Sequence, residues 1–334
     1  MEKVRLGIVG LGWVSQVFHI PILSKFDDVE IVAVCDRDKS RSKMIAERFG
    51  FRKCYTDYEE MLAHEELDVI DVCTSTDAHL PVTLASLKAG KDVFVEKPIA
   101  RRHAEAVQMA EAAKEFKRKL MVGMNNRFRP DTIILKSFLD KEELGKIFYI
   151  KAGWLKKLST TNPWITQKDK SGGGVFLDMG IVILDLILWM LGFPPVQRVS
   201  ATMFTQRTKS VEDSCVGFIE MKNNISVMFE TSWSLQSEQD FFYCDFFGSE
   251  GSAKINPLRV HKQLHGNLVN VIPAKSESPL NLHKKSYENE LRHFLDAVHD
   301  LHPVISTGEE AVHRMKIVEA IYQSATKKRE IIIR

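Results

Sequence analysis

Val4-Arg-Leu-Gly-Ile-Val9 followed at once by Gly10-Leu-Gly12-Trp13-Val14-Ser15 is a mostly apolar run, a tight pair of glycines, and a stretch that Val17–Ser24 can continue as a helix. Strand, glycine turn and helix in that order let a pyrophosphate approach the backbone. Gly10 permits the turn, Gly12 leaves room beside the main chain, and the helix N-terminus at Trp13 and Val14 offers amide donors and the positive end of its dipole. Ser15 stands where a third glycine or alanine is usual, and is small enough for close helix–strand packing. A second apolar run, Val29–Cys35, ends in Asp36, placed to accept from both ribose hydroxyls of an adenosine. NAD is therefore expected over NADP, whose 2′-phosphate Asp36 would repel. The adjacent Arg37 keeps NADP possible.

The strand–helix alternation continues. Phe49-Gly50 closes a helix and Asp57 can cap Tyr58–His64. Asp68–Cys73, Asp92–Val95 and Leu120–Gly123 read as strands, with helices at Asp77–Lys88 and about Arg102–Phe116. Repeated units of this kind predict a parallel sheet with right-handed crossovers. After Asn125 the rhythm changes to short strands at Ile147–Trp154, Val196–Thr205, Ser214–Met221, Ile225–Ser232, Phe241–Phe247 and Ala253–Ile255. His261–Ser278 is the least patterned stretch and reads as a long hairpin or loop. Tyr287–Asp300 and Glu309–Thr326 are closing helices. The fold class is α/β: a Rossmann dinucleotide-binding domain over 1–124, and an α+β substrate and oligomerisation domain with a large, mostly antiparallel sheet over 125–334. Its closing helices could pack back on the first domain.

The 334 residues suit two cores, and 44% of them are hydrophobic. With 46 basic and 44 acidic side chains the net charge is +2, which argues against nucleic acid or an anionic membrane as partner. Five cysteines without a CxxC pair suggest reduced thiols; no metal is expected, and the location expected is cytoplasmic. Val175–Phe193 is apolar enough to suggest a membrane span, but Asp178 and Asp185 within it point to a buried amphipathic helix.

Glu96-Lys97-Pro98 ends the Val93–Val95 strand at its carboxyl edge, where open parallel sheets hold ligands. A lysine there can be poised by low dielectric and a neighbouring nicotinamide. A cis bond before Pro98 is plausible. Thr74, Thr76 and His79 follow the strand ending at Cys73 and can line the cofactor crevice, His79 more as a packed or cofactor-adjacent group than as a proton carrier. Asn125 and Arg127 leave the last strand of the parallel sheet and could touch nicotinamide or substrate; Arg127 could equally tie the domains together. Trp154, Trp164 and Lys156 suit the substrate side, although core packing is the alternative for either tryptophan. His19 is expected to pack.

Taken in order, Gly10-Leu-Gly12, Cys73-Thr-Ser-Thr-Asp-Ala-His79-Leu-Pro81, Gly90 through Pro98, Asn125-Asn-Arg127-Phe, and Gly172-Gly-Gly174 through Asp185 resemble the glucose–fructose oxidoreductase / inositol dehydrogenase / MocA family over nearly the whole chain. The resemblance implies NAD or NADP, sugar, polyol or related substrates, and oligomers formed through the second domain, a homodimer or homotetramer here. It carries the family's lysine onto Lys97 and its first helix aspartate onto Asp178. The family's histidine falls on Val182, whose isopropyl group neither accepts nor donates a proton. The expected function is hydride transfer between nicotinamide and a hydroxyl carbon, with Lys97 and Asp178 at the reacting centre. Substrate contacts are expected at Lys97, Arg127, Trp154, Trp164, Asp178 and Val182. Cofactor contacts, besides the glycine turn and Asp36–Arg37, are expected at Thr74, Thr76, His79, Glu96, Lys97 and Asn125. The alternatives are a dinucleotide-binding protein of lost or regulatory activity and a redox-neutral family member.

Overall fold

The computed structural model describes residues 2–157, 163–272 and 277–333. The chain forms two compact units. One runs to Met124 and takes back Tyr287–His313; the other spans Asn125–Ser286 and resumes at Arg314. The helices Pro279–Val298 and Gly308–Lys327 each contribute residues to both units.

The first unit is built on β1 (Val4–Val9), β2 (Val29–Cys35), β3 (Cys54–Tyr55), β4 (Val69–Val72), β5 (Asp92–Val95) and β6 (Leu120–Val122). Their spatial order is β3-β2-β1-β4-β5-β6, all parallel. This is the doubly wound arrangement, with its switch point between β1 and β4. β4 and β5 are buried along their whole length, as central strands covered on both faces should be. Local chemistry sets the helix ends. The Asp38 carboxylate caps Lys39–Phe49 through the amides of Ser40 and Arg41, Gly50 closes that helix at φ 78°, and Asp57 caps Tyr58–His64.

The second unit carries β7 (Ile147–Leu155), β8 (Val196–Phe204), β9 (Ser214–Met221), β10 (Ser226–Ser232), β11 (Phe241–Gly248), β12 (Gly251–Ile255), β13 (Arg259–Leu264), β14 (Asn267–Asn270) and β15 (Ile331–Ile332). They form one sheet in the order β14-β13-β12-β11-β7-β10-β9-β8-β15. Its pairs are antiparallel except β7 with β10. The unpatterned stretch after His261 contains the β13–β14 hairpin, turned at His265 (φ 51°) and Gly266 (φ 79°). The end of that stretch, 273–276, lies outside the described residues.

Two expectations need correction. The helix over Phe176–Met190 is not amphipathic: in Ile181–Met190 every residue but Trp189 is buried. Lys168–Met190 is long and apolar enough to cross a membrane by composition, with a mean hydropathy of 1.9, yet 89% of that window is buried within the fold. The strands Ile225–Ser232 and Phe241–Phe247 carry apolar side chains on both alternating sets, which suggests an oligomer interface filled by Phe229, Trp233, Phe241 and Phe247; Phe229 and Trp233 are instead buried inside the chain. Inward-pointing Phe229 packs on Phe176, whereas Val216, Met228 and Phe241 lie exposed on the other sheet face.

Candidate active site

In the first unit, Gly10 at φ 96° closes the turn after β1, and its amide donates to the Cys35 carbonyl at 2.8 Å. A Cβ on Gly10 would lie 2.5 Å from the Cys73 carbonyl carbon, so only glycine lets the ends of β1 and β4 meet. A Cβ on Gly12 would meet nothing within 4 Å, so the backbone beside it is open. Helical backbone starts at Trp13 and runs to Leu23, with a π turn over Ser15–His19. Ser15 is buried and Trp13 is exposed. The buried Asp36 carboxylate accepts from the amides of Leu11 and Asp38, both at 2.9 Å, and pairs with Arg41 at 3.2 Å. Open backbone at Gly12, helix amides behind it and a fixed acid at the end of β2 fit a dinucleotide. Arg37 is exposed. The cation that meets Asp36 is Arg41, one helical turn further on and missed from sequence.

Lys97 stands half-buried at the carboxyl end of β5, before a cis Lys97–Pro98 bond. Its amide donates to the second carboxylate oxygen of Glu96 at 3.0 Å. His79 is buried, with Nδ1 2.8 Å from the Pro98 carbonyl and Nε2 3.2 Å from that of Thr74. Burial holds His79 below the ordinary histidine range, against the pull of those carbonyls. It ties the loops after β4 and β5 together. Thr76 is buried at the start of its helix, and the Thr74 hydroxyl donates to the Ser75 carbonyl.

The histidine expected merely to pack does more. His19 is wholly buried. Its Nδ1 lies 2.8 Å from Asp71 and its Nε2 3.1 Å from Glu96. The Cys73 thiol lies 3.3 Å from both the His19 ring and Asp71. His19, Asp71 and Cys73 could between them present metal-ligating atoms. The 2.8 Å contact is a hydrogen-bond spacing, tighter than the roughly 3.4 Å between ligand atoms of a tetrahedral zinc site. Burial opposes charge on the ring, but Asp71 and Cys73 outweigh it and raise His19 well above the ordinary range. Burial alone would raise Glu96, yet the His19 bond and charge hold it below the usual carboxylate range. The signal in the sequence was Asp71 itself, a carboxylate inside the apolar run Val69-Ile-Asp-Val72 that needs a buried partner.

In the second unit, Asp178 lies half-buried in a π turn, Phe176–Gly180, that opens the apolar helix. π turns recur at functional positions. Trp233 Nε1 donates to the Asp178 carboxylate at 3.2 Å. The glycine turn before the helix is clamped by Glu212. That carboxylate accepts from the amides of Gly174 and Phe176, each at 3.0 Å, and from the Tyr322 hydroxyl at 2.7 Å. A Cβ on Gly174 would run into the Glu212 carbonyl. Burial pushes Glu212 up despite these donors. Neither Trp233 nor Glu212 was legible as a site residue, because each meets its partner only through tertiary structure.

Arg127, expected to touch substrate, is wholly buried and forks onto Asp185 at 2.8 and 2.5 Å; Arg314 reaches the same carboxylate at 2.7 Å. The 3-10 turn Asn125–Phe128 directs Arg127 into the protein interior. Asn125 donates to Ser286 at 2.9 Å. Trp154 packs edge-on against Phe242, and Trp164 is half-exposed on the turn Pro163–Thr166. The Lys156 amide bonds the Ser232 carbonyl. Val182 is buried in the apolar helix.

Residues 4–124 match an oxidoreductase family described by its NAD-binding Rossmann fold, and residues 133–254 match the GFO/IDH/MocA C-terminal domain. The chain is 31% identical to D-glucoside 3-dehydrogenase of Escherichia coli (strain K12), over 97% of this chain and 96% of that one. It is 26% identical to inositol 2-dehydrogenase of Rhizobium meliloti (strain 1021), over 99% of both. Among solved structures, GenD2 from gentamicin A biosynthesis, determined in complex with NAD, superposes with a TM-score of 0.88 at 26% identity, covering 100% of this chain and 97% of GenD2.

Proposed function

Because the chain belongs to the Gfo/Idh/MocA oxidoreductases, dehydrogenases with an NAD-binding Rossmann domain, we propose that it oxidises a secondary hydroxyl of a sugar or polyol, with glucosides the first class to test. The observation that carries this reading is Lys97 at the carboxyl end of β5, in the unit whose open Gly12 backbone and fixed Asp36 suit a dinucleotide. The similarity to a D-glucoside 3-dehydrogenase supports the substrate class. Bound NAD supplies the hydride acceptor. Lys97 handles the hydroxyl proton or polarises the oxygen as the adjoining carbon gives up its hydride, assisted by Asp178, to which Trp233 donates. Asn125 and Trp164 keep side chains accessible enough to meet ligand, while Arg127 serves as a structural anchor.

The test is reduced-nicotinamide absorbance with NAD and a panel of glucosides, free sugars and inositols. Turnover on at least one glucoside is expected. Lys97→Ala should lower kcat by about 10²–10⁴ while NAD affinity stays within a few fold. Absence of turnover across the panel, with NAD binding intact by calorimetry, would overturn the reading.

A second reading, a dinucleotide-binding protein of lost activity, draws on one observation: Val182, buried and apolar, stands where the family resemblance places a histidine. Val182→His separates the two. If the native chain oxidises polyols at ordinary enzyme rates and the histidine variant is no faster, Val182 is a neutral replacement. If only the variant turns over, the lost-activity reading holds.

A further inference from the structure

We propose that His19 is a positioning residue for the reaction at Lys97, acting through Glu96. The inference rests on the reading of Lys97 as the proton-handling group. Its physical basis is a chain of contacts confined to the first unit. The π turn Ser15–His19 brings the imidazole inward from the helix that follows the glycine turn. Nδ1 meets Asp71 at 2.8 Å and Nε2 meets Glu96 Oε1 at 3.1 Å. The other oxygen of Glu96 accepts the Lys97 backbone N–H at 3.0 Å. A rigid ring between the ends of β4 and β5 therefore fixes the carboxylate that holds the main chain of Lys97. The residues that build the dinucleotide turn and those that present the lysine are joined by one side chain.

The ring is held from every side. Asp71 faces it from β4 and Cys73 from just past its end, Glu96 with the neighbouring Lys97 from the end of β5, and Tyr287 from the helix Pro279–Val298, with ring centroids 6.0 Å apart. The Phe94 ring meets it edge-on at 5.6 Å. With carboxylates on both nitrogens, each nitrogen acts as a donor, which requires the imidazolium form. Burial opposes that charge, Asp71 and Cys73 favour it, and the His19 contact in turn holds Glu96 below the usual carboxylate range. Charge-assisted bonds at both ends resist rotation of Glu96 better than neutral ones.

Two substitutions separate positioning from simple packing. In His19→Gln the side-chain amide reaches the place of Nε2 and can still donate to Glu96. In His19→Asn it reaches the place of Nδ1 and can serve only Asp71. Positioning through Glu96 predicts that kcat falls about 10–100-fold in His19→Asn and recovers several-fold in His19→Gln. KM and NAD affinity should stay within about 3-fold in both. A purely structural role predicts that kcat follows thermal stability and ignores which nitrogen is replaced. Glu96→Gln, nearly isosteric, serves if the His19 variants fold poorly; its kcat should fall with melting temperature little changed. Ring-nitrogen NMR of the native protein should show both His19 nitrogens protonated at neutral pH. If Lys97→Ala abolishes turnover while His19→Asn and Glu96→Gln keep native kcat, the His19 inference is wrong and the Lys97 reading stands. If Lys97→Ala keeps native kcat, the Lys97 reading is what fails.

Discussion

The two units bury charge in opposite ways. The first brackets a cation with two carboxylates, His19 between Asp71 and Glu96. The second brackets a carboxylate with two guanidiniums, Asp185 between Arg127 and Arg314. The difference lies in what can titrate. An imidazole can release its proton when its surroundings change; a guanidinium cannot. When a carboxylate is lost, His19 can therefore relax by becoming neutral, whereas Arg127 and Arg314 keep their charge.

The sharpest way to break the contrast is to remove the shared anion. Asp185→Ala leaves Arg127 and Arg314 buried without that carboxylate and should cost about 3–5 kcal/mol of unfolding free energy, the usual scale for breaking a buried pair. Denaturant unfolding with an unchanged m-value checks it. Asp71→Asn should cost about 1–3 kcal/mol, because His19 can shed its proton. Equal losses would erase the distinction between the units.

Next in size is the clamp on the glycine turn. Glu212→Ala removes the acceptor for two buried amides and the Tyr322 hydroxyl. A loss of about 2–4 kcal/mol is expected, a few donors at their usual unsatisfied cost. Glu212→Gln, which keeps one strong acceptor, should lose less than half as much.

The pH dependence of stability sharpens the comparison further. His19 is raised well above the ordinary range, burial opposing and Asp71 with Cys73 prevailing. Its contribution is complete below its unfolded value, about 6.5, and is lost as pH rises through the folded value. Glu96 is held below its ordinary range, burial opposing and His19 prevailing, so its contribution is present above the unfolded value and is lost as pH falls through the folded one. The melting temperature of the native protein should fall on the alkaline side, and His19→Gln should flatten that limb. A guanidinium keeps its charge across that limb, so Arg127→Met should lower stability by the same amount throughout it.

What could be read from sequence divides along the same physical line. Gly50 and Asp57 act on neighbours a few residues away, and the close spacing of Gly10 and Gly12 after an apolar run marks their turn locally, so the doubly wound sheet and its helix ends were legible. The β13–β14 hairpin was legible only as one of two options, a long hairpin or a loop, because His261-Lys-Gln-Leu264 and Asn267–Asn270 have too little apolar alternation to mark strands. The polar networks were legible only as discomforts: Asp71 in an apolar strand and Asp185 in an apolar helix, each needing a cation. Which cation answers is set by tertiary pairing, across 52 residues for His19 and 58 for Arg127. Arg127 stayed ambiguous for that reason, since an arginine leaving a Rossmann strand suits a ligand as well as it suits a buried aspartate.

The smallest expected effect concerns the proposed reacting group of the second unit. Asp178 is half-buried, and Trp233, wholly buried, donates to it at 3.2 Å. That length exceeds the roughly 2.7–2.9 Å of a strong charge-assisted bond, so the contact should orient the carboxylate without dominating its energy. Trp233→Phe keeps most of the ring volume and deletes the donor. Loss of one modest hydrogen bond, about 1 kcal/mol, converts to roughly a 5-fold fall in kcat if Asp178 assists proton transfer. The smaller ring also leaves space in the core, so melting temperature is measured in parallel and Trp233→Leu serves as a packing control with no donor. If kcat falls in both variants while KM stays constant, the indole N–H sets the direction of Asp178. If kcat is native in Trp233→Phe, the indole N–H does not set the direction of Asp178. The second unit would then contribute a rigid frame to the reaction, and the polar tuning would belong to the His19 side of the molecule.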